Sequence, residues 1–287
     1  MMLIIRVFRL HHWIKNFFLF IPVFFAGEIF NLEKLFQTSV GFIAFGFAAS
    51  TIYILNDIKD IDEDRAHPRK STRPLASGEV SVRTGYLALT FSGIMALSIA
   101  YFLSIGFAIV LLSYMLLNIG YSFGLKNRSI LDILILASGF ELRVIAGGIA
   151  AEVPITQWLM VMIFLLALFL AIAKRREDVS LDLSEGSVTR KSTSGYTLEY
   201  LNAILIFNAS VMVVAYIMYC LTSEVAVSLK SNYLVVTTIF VLAGLMRYIQ
   251  IALVENNAGS PTKIIYTDKF VIITVLAWMV TFFVILY

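Results

Sequence analysis

The sequence predicts an all-α polytopic membrane protein: one domain over residues 1–287, a bundle of nine transmembrane helices with a cytosol-facing polar chamber. Three observations predict it. Of the 287 residues 60% are hydrophobic and 14% charged, with mean hydropathy +0.88, whereas a soluble domain is roughly 45–50% apolar and about 25% charged. Runs such as 159–173 and 270–286 are continuously apolar and lack the alternation of a membrane β-strand, so the spanning elements are helices. Nine spans would place every Lys and Arg except Lys34, Lys230 and Arg143 on one face of the membrane. By the positive-inside rule that face is cytosolic.

In chain order, Arg6, Arg9, His11, His12 and Lys15 precede an apolar stretch with no small-residue cleavage site, which reads as a retained first span at 17–29. Hydropathy places the next spans at 37–56, 84–103, 105–120 and 130–151. In the fifth, Gly139, Ala146, Gly147 and Ala150 make a close-packing face. The rest follow at 155–173, 199–222, 232–254 and 268–286, with Trp13 and Trp158 read as interfacial anchors. The long hydrophilic 2/3 and 6/7 loops then both face the cytosol of a cytoplasmic (inner) membrane, and the polar chemistry belongs there.

Topology accounts for the net charge of +3, so nucleic acid is not an expected partner. The single cysteine, Cys220, excludes an internal disulfide and any multi-cysteine metal centre. No Walker A motif, dinucleotide fingerprint or paired zinc-type histidines occur.

The densest polar stretch, NDIKDIDEDRAHPRKSTRPLASG, runs from Asn56 to Gly78. If the second span continues as a helix, Asp57, Asp60 and Asp64 share one face at i, i+3 and i+7. Like charges held so close need a cation, and hard carboxylate oxygens suit Mg²⁺ bridged to substrate phosphates, with Asn56 adding a neutral oxygen. Lys70 and Arg73, with Arg69, offer cations to the phosphate oxygens left uncovered. His67, beside Pro68, either joins them or only shapes the turn.

The 6/7 loop echoes this arrangement. Asp178 and Asp182 lie four apart, and Arg190 to Thr193 repeat the RKST of Arg69 to Thr72. Four spans separate the two loops, as a parallel repeat of spans 1–4 and 5–8 plus a ninth span requires. Lys174, Arg175 and Arg176 either end the sixth span or bind phosphate. In the 4/5 loop Tyr121 and Lys126 are further candidates to hold phosphate oxygens. Arg143, too close in sequence to Glu141 to pair with it, reaches a bundle neighbour or a substrate.

At these residues the chain resembles the UbiA-type intramembrane prenyltransferase superfamily, whose first signature is matched by Asn56, Asp57, Asp60 and Asp64 and whose second by Asp178 and Asp182. Within it the chain is most similar to the decaprenyl-phosphate phosphoribosyltransferase branch. The matches are HHWIKN at 11–16, HPRKSTRP at 67–74, YSFGLK at 121–126, LRVIAGG at 142–148, KRRED at 174–178, RKS with Tyr196, and AGSPTKIIYTD at 258–268.

The resemblance implies a single UbiA-type domain and a Mg²⁺-dependent transferase of cell-envelope biosynthesis. It would move 5-phosphoribosyl from 5-phosphoribosyl 1-diphosphate to a polyprenyl phosphate held in the bilayer. Asp57, Asp60, Asp64 and Lys126 would be catalytic; Asn56, Asp178 and Asp182 would complete the metal ligands. Lys15, His67, Lys70, Arg73, Tyr121, Arg143, Lys174, Arg175, Arg190, Lys191 and Tyr196 would contact substrate. The alternative keeps the metal site but makes prenyl diphosphate the donor to an aromatic or other small acceptor.

Overall fold

A computed structural model describes residues 2–66, 70–185, 191–222, 232–255, 264 and 267–286, and among these every regular element is helical. His67, Arg69 and Arg190 lie outside the described residues, as does the Lys191 side chain. The chain divides into two compact units, Met1–Phe123 with Leu142–Pro154, and Gly124–Glu141 with Ile155–Tyr287.

The first unit opens with α1 (Met2–Phe8), a 3-10 segment (Leu10–Phe20) and α2 (Ile21–Phe25). Its longer helices are α3 (Leu32–Lys59), α5 (Val82–Leu103) and α6 (Ile105–Ser122), with the short α4 (Ile61–Ala66) after α3. Local sequence sets the boundaries. The Asn31 side chain caps α3, Ser81 accepts from the Thr84 N–H at 3.1 Å to start α5, and Ser104 accepts from the Phe107 N–H at 3.0 Å to start α6. Phe45, Phe107, Leu111 and Tyr114 interlock in the core with Ala96, Ala100 and Ala146.

The continuous span expected at 17–29 is replaced by the 3-10 segment and α2, whose first turn holds Pro22. Runs of 3-10 helix longer than three or four residues are uncommon, and here two close approaches hold eleven. A Cβ on Gly46 would collide with the Trp13 ring, and one on Gly147 with the Leu19 carbonyl. Trp13 is thus seated on α3, its indole N–H donating to Ser50 Oγ at 3.0 Å. The expected interfacial anchor is also a packing residue of this unit.

In the second unit α8 (Gln157–Glu185), α9 (Leu198–Thr222), α10 (Thr238–Leu253) and α11 (Lys269–Leu286) surround Phe169, Ile172, Leu201, Leu205 and Tyr248. The helix α7 (Leu131–Ala151) contributes residues to both units. Among the described residues seven helical stretches are long and apolar enough to cross a membrane, the seventh being Tyr233–Leu253, which joins a 3-10 turn to α10; the apolar stretch Lys269–Ile285 of α11 is shorter than these. The protein is a multi-pass membrane protein.

Candidate functional site

The helix carrying the acidic motif does not run unbroken. α3 ends at Lys59, Asp60 takes the C-cap position, and α4 begins at Ile61. The Asp60 N–H returns to the Asn56 carbonyl at 2.9 Å, and the Asp64 N–H to the Asp60 carbonyl at 2.8 Å. Asp57 and Asp64 are buried, the latter 1% exposed, while Asn56 and Asp60 are half-buried.

One guanidinium joins the two buried carboxylates. Arg73 Nη1 lies 2.5 Å from Asp64 Oδ2 and 3.2 Å from Asp57 Oδ1. Arg9 also pairs with Asp57, and Lys70 Nζ stands 4.0 Å from Asp64. Buried Pro74, Leu75 and Ala76 fix the loop that presents Arg73, and Leu75 packs against Gly85 of α5. The N-terminal segment braces the same loop: Arg6 donates to Glu79 at 2.7 Å and to the Thr72 carbonyl at 2.6 Å.

Among the described residues no three His, Cys, Asp or Glu side chains gather closely enough to share one ion. The pair itself nevertheless fits a divalent cation. Two hard carboxylate oxygens from different helices gather around one cationic nitrogen, a donor set whose chemistry suits a hard divalent ion.

Nearer the middle of this unit, Arg143 donates to Asn16 Oδ1 at 2.9 Å and to the Tyr114 hydroxyl at 2.8 Å. Its guanidinium lies 4.6 Å from the Tyr114 ring centroid and 5.8 Å from that of Phe45. Of the remaining candidates here, Lys15 is exposed and Tyr121 half-buried on the last turn of α6.

The second unit holds a separate buried network. Arg175, 0% exposed, places Nε 2.9 Å from Asp132 Oδ2 and also pairs with Asp178. The Tyr196 hydroxyl donates to Asp132 Oδ1 at 2.7 Å and accepts from the Ile130 N–H at 2.5 Å. Burial, then this bond to Asp132, pushes the Tyr196 phenol up from its ordinary value. Ile130 has φ 71°, a left-handed conformation that strains a β-branched residue. Asp182 accepts from Thr193 Oγ1 at 2.9 Å, Lys174 is exposed and Lys126 half-buried.

Asp57 and Asp64 are therefore brought together by Arg73, whereas Asp178 and Asp182 have different partners. Sequence reasoning missed Arg9, Asn16, Tyr114 and Asp132. Asn16 was visible as the last letter of HHWIKN, and Asp132 as an acid at the start of an apolar run.

Apolar spans carrying a buried, cation-bridged carboxylate pair at a helix end define a multi-pass membrane protein with an acidic polar site. The model of the UbiA prenyltransferase family matches residues 17–274, and the chain belongs to this family. It is 34% identical to a decaprenyl-phosphate phosphoribosyltransferase from Mycolicibacterium smegmatis, covering 97% of this chain and 90% of that protein. It is 30% identical to the protein of the same name from Corynebacterium glutamicum, covering 96% of this chain and 84% of that one. Among solved structures it resembles a UbiA homolog from Archaeoglobus fulgidus bound to DMAPP and Mg²⁺, with TM-score 0.73, 22% identity and 98% of each chain covered.

Proposed function

We propose that the protein transfers the 5-phosphoribosyl group from 5-phosphoribosyl 1-diphosphate to a polyprenyl phosphate, releasing diphosphate. Family membership and the names of the two relatives support this reading. The geometric observation that carries it is the buried Asp57–Asp64 pair gathered around one cation.

In this reading Asp57 and Asp64, with Asp60 and Asn56, would hold Mg²⁺, which would supply Lewis acidity to the departing diphosphate. Arg73 and Lys70 exchange the carboxylates for diphosphate oxygens when the donor arrives. A phosphate oxygen of the lipid forms the new bond to ribose C1 as the C1–O bond to diphosphate breaks, and diphosphate leaves with the electron pair. The acceptor is already anionic and needs no strong general base, so catalysis rests on positioning and charge stabilisation. Lys126, Tyr121, Lys174 and Lys191 are proposed phosphate contacts, and Asp178 and Asp182 further cation ligands. Nine spans, a cytosolic site in the inner membrane and a repeat of spans 1–4 and 5–8 belong to the same proposal, supported by the basic-residue distribution and the recurring RKST.

The test uses purified protein in detergent with Mg²⁺, supplied in one arm with labelled 5-phosphoribosyl 1-diphosphate and polyprenyl phosphate. The other arm offers prenyl diphosphate and 4-hydroxybenzoate. Mg²⁺-dependent passage of label into the organic phase is expected, with Asp60→Asn folded but inactive. Prenylated benzoate alone would overturn the donor assignment, and near-normal turnover by Asp60→Asn the role of the acidic motif.

A further inference from the structure

We infer that Asn16, Arg143 and Tyr114 form a buried oxyanion site that takes the phosphate head of a polyprenyl phosphate. The lipid's identity rests on the reading above; the anion preference rests on the site alone.

The three side chains come from the 3-10 segment, α7 and α6 of one unit. Asn16 is 0% exposed. Its amide orientation is fixed, because Oδ1 accepts from Arg143 Nε at 2.9 Å, and the reversed amide would set donor against donor. Asn16 Nδ2 is then a fully buried donor with no acceptor. Native interiors rarely leave such a donor unmet, and one that persists calls for a ligand.

Its neighbours are donors too. Arg143 is a permanent cation whose bonds to Asn16 and Tyr114 end on neutral oxygens. The Tyr114 hydroxyl accepts from Arg143 Nη2 at 2.8 Å and keeps its own proton to donate. The faces of Phe45 and Tyr114 hold the guanidinium in place. A buried set dominated by donors around a fixed positive charge selects a ligand that only accepts, and a phosphate monoester is such a ligand.

Position identifies the ligand's source. Phe45, beneath Arg143, precedes Asp57 by about three turns of α3, so the cluster lies on the membrane side of the carboxylate pair. A lipid phosphate reaches it along the bilayer, whereas a water-soluble donor meets the carboxylates first.

The experiment measures equilibrium binding of farnesyl phosphate, of 5-phosphoribosyl 1-diphosphate with Mg²⁺, and of inorganic phosphate to the full chain in detergent. Asn16→Asp keeps the volume and the bond from Arg143 but removes the donor and adds a negative charge. It should weaken farnesyl phosphate by about tenfold or more, with the donor affected less than about threefold. Tyr114→Phe, which keeps the ring, should weaken farnesyl phosphate in the same selective way and stands in if Asn16→Asp does not fold. Equal loss of both ligands, or unchanged lipid binding, overturns the inference. Inorganic phosphate competing as well as farnesyl phosphate overturns the lipid assignment. Selective loss of farnesyl phosphate binding in a protein whose wild type transfers no phosphoribosyl group would support this site and sink the reaction. Normal phosphoribosyl transfer by Asn16→Asp would do the reverse.

Discussion

Arg73→Ala removes the one guanidinium that two buried carboxylates share, and its cost can be worked from their surroundings. Removing one partner of a buried ion pair costs about 3–5 kcal/mol, because the other charge stays behind uncompensated. Two features reduce that here. Arg9 still pairs with Asp57 and Lys70 stands 4.0 Å from Asp64, while the Arg73 side chain is itself 28% exposed and its interactions partly screened. About 2–3 kcal/mol remains. At roughly 2–4 °C per kcal/mol, the apparent Tm in detergent should fall by about 4–12 °C, read at one scan rate because such unfolding is often irreversible.

Mg²⁺ should then act more strongly on the variant than on the parent. On the proposed reading an ion would have to displace Arg73 in the parent, whereas in Arg73→Ala only Arg9 at Asp57 and Lys70 near Asp64 would compete with it. A ligand present at a hundred times its Kd stabilises by about 2.7 kcal/mol, enough to restore most of the lost Tm. The assay is a thermal melt of both proteins across a Mg²⁺ titration with EDTA controls. An Arg73→Ala melt within 1 °C of the parent, or identical Mg²⁺ responses, would refute the shared-cation reasoning.

Tyr196→Phe deletes a hydroxyl that bonds both Asp132 and the Ile130 N–H. It should lower stability by about 1–3 kcal/mol, since the buried Asp132 carboxylate loses a donor while the Ile130 N–H lies at an exposed residue; a melt unchanged within error would mean the network holds without it. Asp268 accepts from Arg247 at 2.8 Å and from the Val271 N–H at 3.0 Å, which holds its carboxyl below the usual 3.8. The folded pKa lies below the unfolded one, so this contribution is present above about pH 4 and lost as pH falls through the folded value. Asp268→Asn should flatten the acid limb of the Tm–pH curve, and an unaltered limb would show that the pair contributes nothing there.

The spans were legible because hydropathy reports apolar length directly, and α5 and α6 agree with their expected ranges to within two residues at each end. α8 was legible only in part. Its helix continues to Glu185, well beyond residue 173, because the charged KRRED run remains helical after the apolar stretch ends. The 3-10 segment was not legible at all, since hydropathy does not distinguish a 3-10 turn from an α turn and its cause lies on Gly46 and Gly147.

At the site, the i, i+3, i+7 spacing assumed an unbroken helix, and the Asp60 cap interrupts it. Asp57 and Asp64 still meet, through an arginine nine residues beyond Asp64. The missed partners are far apart in sequence: Arg9 lies 48 residues from Asp57, Tyr196 64 from Asp132, and Arg143 127 from Asn16. No local pattern can pair residues at such separations.

The two glycines against the 3-10 segment constrain the protein's descent differently. At position 46 the obstacle is the Trp13 ring, a side chain that can itself be replaced. Lineages can therefore enlarge residue 46 if residue 13 shrinks first, and the two positions should drift as a compensated pair. At position 147 the obstacle is the Leu19 backbone carbonyl, which every amino acid carries. No second substitution at position 19 can open that space, so Gly147 should stay glycine for as long as the segment keeps this path.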